Sequence, residues 1–526
     1  MRVLVTGGSG VVGEAAVRAL LARGHAVRLL ARGAEEDARA WPAGAGGGVE
    51  PFPGDVTDAA TIRGAADGCD AVLHLVGSVA GSDEQLERLN VAGTRHVVDE
   101  AGRAGVLHVV YVSSLGAERG ESPYHKTKFA GEQEARHFAG RWVIVRPGNV
   151  YGPGDEQISR LLTMVRALPA IPVIAGGTTE FQPIWADDVG EALARACERD
   201  DLAGHVLEVT GAERTSMQDL LDRFARLTGR EPVRVPVPGA LASLGVKLAG
   251  AVGVDLGINE SQLTMLAEGN VIDDPARNAL TTVLGVEPTP LDEGLRRLLD
   301  ALPEQLPEEG LGALHHKRYW ADVVGPRAGA EELFRAFCVR FHHITPGAMD
   351  LQAEPGAPRA VLAQHQTVTM ALPLRGNVQV RVAELGDGSL TLQTLEGHPL
   401  AGAVRFTFEE PEVSGDAGAA EAAGAPRPFR FQVEVFDRAS DVFDWMAMAV
   451  LGSKMQEANW QAIVEAIVDE SGGQAPAGVE TSQAQLEGEA AAQVERWLGE
   501  LALARRRASN ADALGMAEVP TADRQG

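Results

Sequence analysis

The first thirteen residues constrain this chain more than any other stretch. Residues 2–5 (Arg-Val-Leu-Val) are a short β-branched apolar run, which suits a buried parallel strand better than a half-exposed one. The run breaks at Thr6 and Gly7 and resumes as a helical pattern over residues 11–21, with glycines at Gly7, Gly10 and Gly13. In a strand–turn–helix unit the first glycine allows the tight turn and the second lets the backbone approach a pyrophosphate. The third lets the helix pack close to the strand, while free N–H groups at the helix start face the anion. Thr6, Gly7, Gly10, Val11, Val12 and Gly13 are therefore candidate nucleotide-binding residues.

A second strand, residues 25–31, ends at Arg32. The residue at that place contacts the adenosine ribose: a carboxylate there selects NAD, whereas an arginine suits the 2′-phosphate of NADP. Arg32 occupies it with no carboxylate before it and with Arg28 as a candidate helper, so NADP is expected and NAD is the alternative. Asp55, in Gly54-Asp55-Val56-Thr57-Asp58 after the third strand, can accept from an adenine amino group. Residues 70–77 read as a fourth strand whose turn, Leu75-Val76-Gly77, permits close approach to phosphates. A helix is expected to start at Asn90, and a fifth strand, 106–114, ends in Ser113 and Ser114. Strands alternating with helices at this spacing imply right-handed crossovers and a doubly wound parallel sheet, with ligands beyond the strands' carboxyl ends.

Tyr124 and Lys128 stand four apart after Ser122-Pro123, on one face of a helix. A phenol is a poor base at neutral pH, and a nearby ammonium favours its ionised form. With a serine hydroxyl from the neighbouring strand end, such a pair can move a proton while a nicotinamide moves a hydride.

Taken in chain order, six motifs resemble the extended and atypical short-chain dehydrogenase/reductase superfamily. They are Thr6-Gly7-x-x-Gly10-x-x-Gly13, Gly54-Asp55-Val56-Thr57-Asp58, Tyr111-Val-Ser113-Ser114, Tyr124-x-x-x-Lys128, Arg146-Pro147-Gly-Asn149-Val150-Tyr-Gly152-Pro153 and Gln182-Pro-Ile-Trp-Ala-Asp187-Asp188-Val189. The chain looks like the branch that includes the NAD(P)H-binding accessory subunit of respiratory complex I and bacterial nucleoside-diphosphate-sugar epimerase-like proteins. Residues 261–272 and 284–295 are similar to that branch's C-terminal region, so the resemblance covers about residues 1–302. It implies a pyrophosphate cradle at the three glycines, adenine at Asp55 and Val56, and further cofactor contacts from Leu75, Val76, Gly77 and Asn90. It also implies Tyr124 as acid/base, Lys128 as its tuner and ribose ligand, and Ser113 as the polarising hydroxyl with Ser114 the alternative. Pro147, Asn149 and Val150 would pass beside the nicotinamide.

Two departures weigh against a sugar-nucleotide pocket. Tyr124 follows Ser114 by only ten positions, and the lobe over residues 158–302 lacks a basic cluster for a pyrophosphate. Arg160 and Arg166 read there as solvated helix charges. The expected function is an NAD(P)-dependent oxidoreductase acting on a carbonyl or alcohol of a small or apolar substrate. A sugar-nucleotide epimerase/dehydratase and a non-catalytic NAD(P)H-binding sensor or assembly protein are the alternatives.

Residues 303–314 form a polar Pro/Gly joint that suits a linker. Beyond it, 315–475 changes period: a helix over 331–341, then strands over 360–374, 377–385, 389–395, 403–408 and 429–436 that alternate as if one face were buried. Residues 411–428 are a low-complexity excursion, and 442–471 an amphipathic helix bearing Trp445, Met448, Met455, Trp460 and Ile467. This order loosely resembles the START-like helix-grip fold, which implies an α+β domain with a curved antiparallel sheet, able to bind an apolar ligand. A helix near 482–507 and a disordered remainder complete a tail over 476–526.

At 526 residues two or three domains are expected. The net charge of -26 argues against nucleic acid and anionic membranes as partners. Cys69, Cys197 and Cys338 are scattered, which suits reduced thiols in a cytoplasmic protein. No metal is expected, because His315-His316 and His342-His343 are adjacent pairs whose members point apart. No signal peptide or integral membrane segment is expected, since Pro, Gly, Lys247 and Asp255 interrupt the most apolar stretch, 235–258. An oligomer is compatible with the sequence.

Overall fold

The run at the N-terminus forms β1 (Arg2–Thr6), buried from Val3 onward. The computed structural model describes residues 1–44, 47–79, 81–239, 268–344, 354–355, 361–372, 376–410, 426–440 and 453–516. Trp445, Met448, residues 261–266, most of the 235–258 stretch and of the 411–428 excursion, and the last ten positions lie outside the described residues, as do the side chains of His342, His343 and Met455.

β1 is followed by β2 (Ala26–Ala31), β3 (Val49–Pro53), β4 (Ala71–His74), β5 (His108–Val112), β6 (Arg141–Pro147), β7 (Asn149–Tyr151), β8 (Ala170–Ile174), β9 (Pro183–Trp185), β10 (Val206–Val209) and β11 (Val233–Val237). Seven of these make one sheet, ordered β10-β6-β5-β4-β1-β2-β3, with every pairing parallel. The chain winds outward from β1 to β3, returns to β4 beside β1, and winds the other way. The switch point therefore lies between β1 and β4, and the crevice beyond their carboxyl ends is where such sheets take ligands.

Helices α1 (Val11–Ala22), α2 (Ala34–Arg39), α3 (Asp83–Glu87), α4 (Gly93–Arg103), α5 (Pro123–Arg136), α6 (Ile158–Ala167), α7 (Ala186–Glu198), α8 (Met217–Thr228), α9 (Ala279–Thr282) and α10 (Leu291–Leu299) supply the outer layers. Val17, Leu20, Val189 and Leu193 of α1 and α7 pack on one face of the sheet. Val97, Val98 and Ala101 of α4 pack with Leu4, Val72 and Val109 on the other. A separate core joins α6, α8 and α10 through Leu162, Phe224 and Leu295.

The second half is α+β. Strands β12 (Leu311–Val323), β13 (Thr367–Leu372), β14 (Gly376–Gly386), β15 (Ser389–Thr394), β16 (Leu400–Glu409), β17 (Phe429–Ala439) and β18 (Glu480–Leu486) form a sheet ordered β13-β14-β15-β16-β17-β12-β18. All its pairings are antiparallel. One face packs on α11 (Ala330–Ile344) and α12 (Ser453–Ser471) through Phe337, Phe341, Ile463 and Ile467. Trp460 packs at the margin of this core.

Three expectations are corrected here. β12 begins at Leu311, inside the stretch read as a linker. Residues 480–486 are an edge strand, and the last helix, α13 (Gly488–Ala513), starts only after it. The side chains of β18 are mostly exposed, so nothing in them alternates and the strand leaves no periodic signal. Finally, the polar face of the sheet is buried too. Gln379, Arg381, Thr391 and Gln393 alternate with apolar neighbours as a half-exposed strand would, yet all are sealed. Gln379 Nε2 donates to Leu299 O at 2.9 Å, Arg381 pairs with Glu304, and Gln393 Nε2 donates to Leu498 O. These partners come from distant parts of the chain and offset the cost of burying the polar groups they meet.

Candidate nucleotide and catalytic site

At the switch point Thr6 and His74 are register partners, and Thr6 Oγ1 lies 2.6 Å from His74 Nδ1. The other ring nitrogen lies 3.1 Å from Thr94 Oγ1. Burial pushes His74 down to about 3, so the ring is a neutral brace between the two strand ends.

The glycine turn is built as its spacing demands. Gly7 has φ +72°, and a Cβ there would stand 3.1 Å from the Val76 nitrogen. A Cβ on Gly13 would lie 2.1 Å from Gly7 O, so α1 can seat on the turn only through a glycine. Gly10 differs: as N-cap of α1 it leaves the helix without a side-chain cap, and its added Cβ would meet nothing nearer than 3.8 Å. Open space over Gly10 and uncapped leading N–H groups are what a pyrophosphate requires. Val11 and Val12 are half-buried behind the turn.

Arg32 is exposed at the end of β2, whereas Arg28 is not available to assist it. Arg28 donates to Ala65 O and Asp67 O at 3.0 and 2.7 Å and to both carboxylate oxygens of Glu50 at 3.1 Å. Asp55 accepts from the Thr57 nitrogen and hydroxyl at 2.8 Å. These bonds, the backbone one foremost, hold its carboxyl below the usual range, with smaller help from the charges of Arg32 and Arg88. Val56 is buried in the neighbouring core.

Leu75 and Val76 are half-buried and Gly77 is exposed. A Cβ on Gly77 would lie 3.1 Å from Lys128 Nζ and 3.3 Å from Asn90 Oδ1, so those groups converge on one spot. Asn90 does not open an α-helix. It sits in a one-turn π segment, Arg88–Ala92, that leads into α4. Such bulges re-aim side chains. Asn90 Nδ2 donates to Thr127 Oγ1 at 2.9 Å while its oxygen accepts from the Ser78 nitrogen at 3.2 Å. Pro147 is buried; Asn149 and Val150 are half-buried, and Asn149 is held between Gln157 and Asn270.

Helix α5 starts at Pro123 because Ser122 caps it, accepting from the His125 nitrogen at 3.1 Å. The cap places Tyr124 in the first turn and Lys128 one turn on. Tyr124 hydrogen-bonds the Ser114 side chain, and burial pushes the phenol up to about 12 against that bond. Lys128 is buried, and desolvation pushes its amine down to about 7 while Glu132 pulls it back. The largest influences on the phenol are its burial, which raises it, and the Ser114 hydroxyl, which lowers it. The Lys128 ammonium stands over the Tyr111 ring, 4.6 Å from the centroid, and forms no ion pair among the described residues. A buried amine with no ion-pair partner among the described residues suits a ligand rich in hydroxyls. Ser113 Oγ is buried with no hydrogen-bond partner among the described residues.

Several contributors have no local sequence signal. Glu268 reaches from 143 positions away to His125 Nδ1 at 2.8 Å and also accepts from the Glu121 and Ser122 nitrogens. It thereby braces the start of α5. Arg166 is not a solvated charge: it makes a two-pronged pair with Glu354 at 2.8 Å, both residues buried. Arg160 is exposed. His315 and His316 face different carboxylates, Asp437 and Glu434, and among the described residues no group of three or more His, Cys, Asp or Glu could hold a metal. Cys69, Cys197 and Cys338 are buried free thiols, and no described helix is long and apolar enough to cross a membrane.

Residues 3–209 match the family model described as the NAD dependent epimerase/dehydratase family. The ceramide reductase of Caulobacter vibrioides is 30% identical over 245 residues, covering 46% of this chain and 75% of that protein. The sterol demethylase protein B of Methylococcus capsulatus is 32% identical over 266 residues, covering 46% and 79%. Among solved structures, the UDP-glucose 4-epimerase of Thermus thermophilus in complex with NAD is 26% identical with a TM-score of 0.45, covering 57% of this chain and 98% of that one.

Proposed function

The chain belongs to the NAD-dependent epimerase/dehydratase family, and on that premise we propose that it is an NADP-preferring oxidoreductase that reduces a carbonyl on a small apolar substrate. The observation that carries this reading is the Tyr124–Ser114 hydroxyl pair standing one helical turn from the buried Lys128. A nicotinamide dinucleotide, when bound, supplies the hydride. Gly7, Gly10 and Gly13 would hold its pyrophosphate, Asp55 and Val56 its adenine, Arg32 a 2′-phosphate, and Lys128 with Asn90 the ribose beside the nicotinamide. Thr6, Val11, Val12, Leu75 and Val76 would line the cradle, and Pro147, Asn149 and Val150 would flank the ring.

Tyr124 keeps its proton at neutral pH because burial outweighs the Ser114 bond. A neutral phenol is an acid, so its task in this direction is to give that proton to the substrate oxygen as the carbonyl carbon is reduced. Ser114 shares the phenolic oxygen's hydrogen bond and can hold the substrate oxygen beside it. This chain thus supplies the proton half of the reduction, and the Tyr124 phenolate takes a proton back from solvent before the next turnover.

An apolar substrate is favoured over a sugar nucleotide because Arg166 is committed to Glu354. Two relatives carry ceramide and sterol in their names, both apolar molecules. The test is oxidation of NADPH, followed at its absorbance band, against long-chain ketones and UDP-sugars. Tyr124→Phe should keep NADPH affinity and lose turnover by about 10²–10⁴. Conversion of a UDP-sugar with no net NADPH oxidation, read by chromatography of the sugar products, would favour the epimerase alternative, and unchanged turnover in the Phe variant would end the catalytic reading.

A further inference from the structure

The last helix, α13, crosses from the antiparallel sheet to the nucleotide-binding edge. Near its start it meets the sheet: Arg438 pairs with Glu495 at 2.8 Å and the Trp497 ring packs edge-on against Phe436. Further along it lies beside α1 and α2. Arg39 pairs with Glu500 at 2.6 Å, Arg507 Nε donates to Arg39 O at 2.9 Å, and the buried Asn510 donates to Ala40 O at 2.9 Å and accepts from Arg18. Between these anchors Arg506 pairs with Glu14 in the first turn of α1.

That contact sits at the edge where a cofactor's adenosine end would lie. Ser9, in the glycine turn, hydrogen-bonds Asp37 in the first turn of α2, and the charge of Arg506 also reaches Asp37. Without Arg506 the Glu14 and Asp37 carboxylates would lose the guanidinium whose charge reaches both, and a 2′-phosphate placed beside them would meet less positive charge. The Arg506 side chain is about one-third exposed, and a guanidinium has five donors, so pairing with Glu14 leaves it capacity for a second anion.

We infer that Arg506, delivered from the far C-terminus, is a specificity-determining residue that lets the nucleotide edge accept the 2′-phosphate of NADPH. The inference rests on the cofactor reading above and deepens it: the second half of the chain contributes to the cofactor site of the first.

The experiment measures dissociation constants of NADPH and NADH for the full chain by fluorescence titration at fixed salt. Arg506→Ala should weaken NADPH on the order of tenfold, the size of one lost charge-assisted contact, and leave NADH unchanged. Glu14→Gln should move the ratio the other way, toward NADPH, which no folding defect would do. Glu500→Gln, which breaks an α13 anchor away from the turn, should leave the ratio alone. An unchanged ratio in Arg506→Ala, an equal shift in Glu500→Gln, or a shift toward NADH in Glu14→Gln overturns the assignment. A wild-type chain that binds neither dinucleotide would sink the cofactor reading itself, a separate outcome.

Discussion

Lys128 is buried with its ammonium 4.6 Å from the centre of the Tyr111 ring, one helical turn from a phenol whose hydrogen bond goes to Ser114. A phenol bonded to a serine hydroxyl thus stands one helical turn from a desolvated amine. Burial drives Tyr124 and Lys128 toward their neutral forms, and a cation–π contact is a weak substitute for a counter-ion.

Stability should therefore depend on pH through Lys128. Unfolded, the amine keeps its ordinary value of 10.5; folded, it lies at about 7. Between those values the unfolded chain binds the proton and the folded chain does not. Stability contributed by this group accordingly rises with pH from about 7 to about 10.5, and below that window the penalty of a buried charge is present in full. Denaturant midpoints without added nucleotide should climb across the window, and Lys128→Met should flatten the climb. A slope that survives the substitution would assign it to another group.

Dinucleotide binding should reverse part of this shift. Ribose hydroxyls that accept from the ammonium favour its charged form, so binding near pH 8 takes up a proton. Calorimetry in two buffers of different ionisation enthalpy reads that uptake directly. Equal apparent enthalpies in both buffers would contradict it.

The two serines should separate cleanly. Ser114→Ala removes the hydroxyl bonded to Tyr124 and should cut turnover by about 10²-fold. Ser113 Oγ is buried without a partner among the described residues, so Ser113→Ala should leave the protein as stable or up to about 1 kcal/mol more stable. Thermal melts and initial rates on both variants decide which serine does chemistry.

The parallel sheet and the positions of Gly7, Gly13, Tyr124 and Lys128 were legible because each depends on neighbours within a strand or a helical turn. Choosing between Ser113 and Ser114 was not, because it depends on how the strand end turns toward α5. Gln379 and Arg381 read as solvated because their period is that of a half-exposed strand; their cover, Leu299 O and Glu304, comes from nearly eighty positions away. Arg506 and Glu14 are 492 positions apart, and neither stretch carries any mark of the other.

The Arg166–Glu354 pair should behave as a buried ion pair that joins α6 to the antiparallel sheet's side of the molecule. Its guanidinium also donates to Gln379 Oε1 at 2.9 Å and Leu299 O at 3.0 Å. Arg166→Met leaves a buried carboxylate without its cation and should lower stability by about 3–5 kcal/mol. Combining it with Glu354→Leu should recover most of that loss, because both charges are then gone. A double-mutant cycle by chemical denaturation tests this, and additive losses would mean that the two side chains act independently.

Two neighbouring glycines should give opposite signatures. An added methyl at Gly13 would overlap Gly7 O at 2.1 Å and the Gly8 backbone at 2.6 Å, so Gly13→Ala must push α1 off its turn. Both the melting temperature and dinucleotide affinity should fall. At Gly10 the same methyl meets no atom within 3.8 Å, so the fold should not register Gly10→Ala. The methyl would project into the space that a pyrophosphate needs for close backbone approach, and affinity should drop at unchanged melting temperature. Full affinity in Gly10→Ala would mean that the dinucleotide does not lie over this turn.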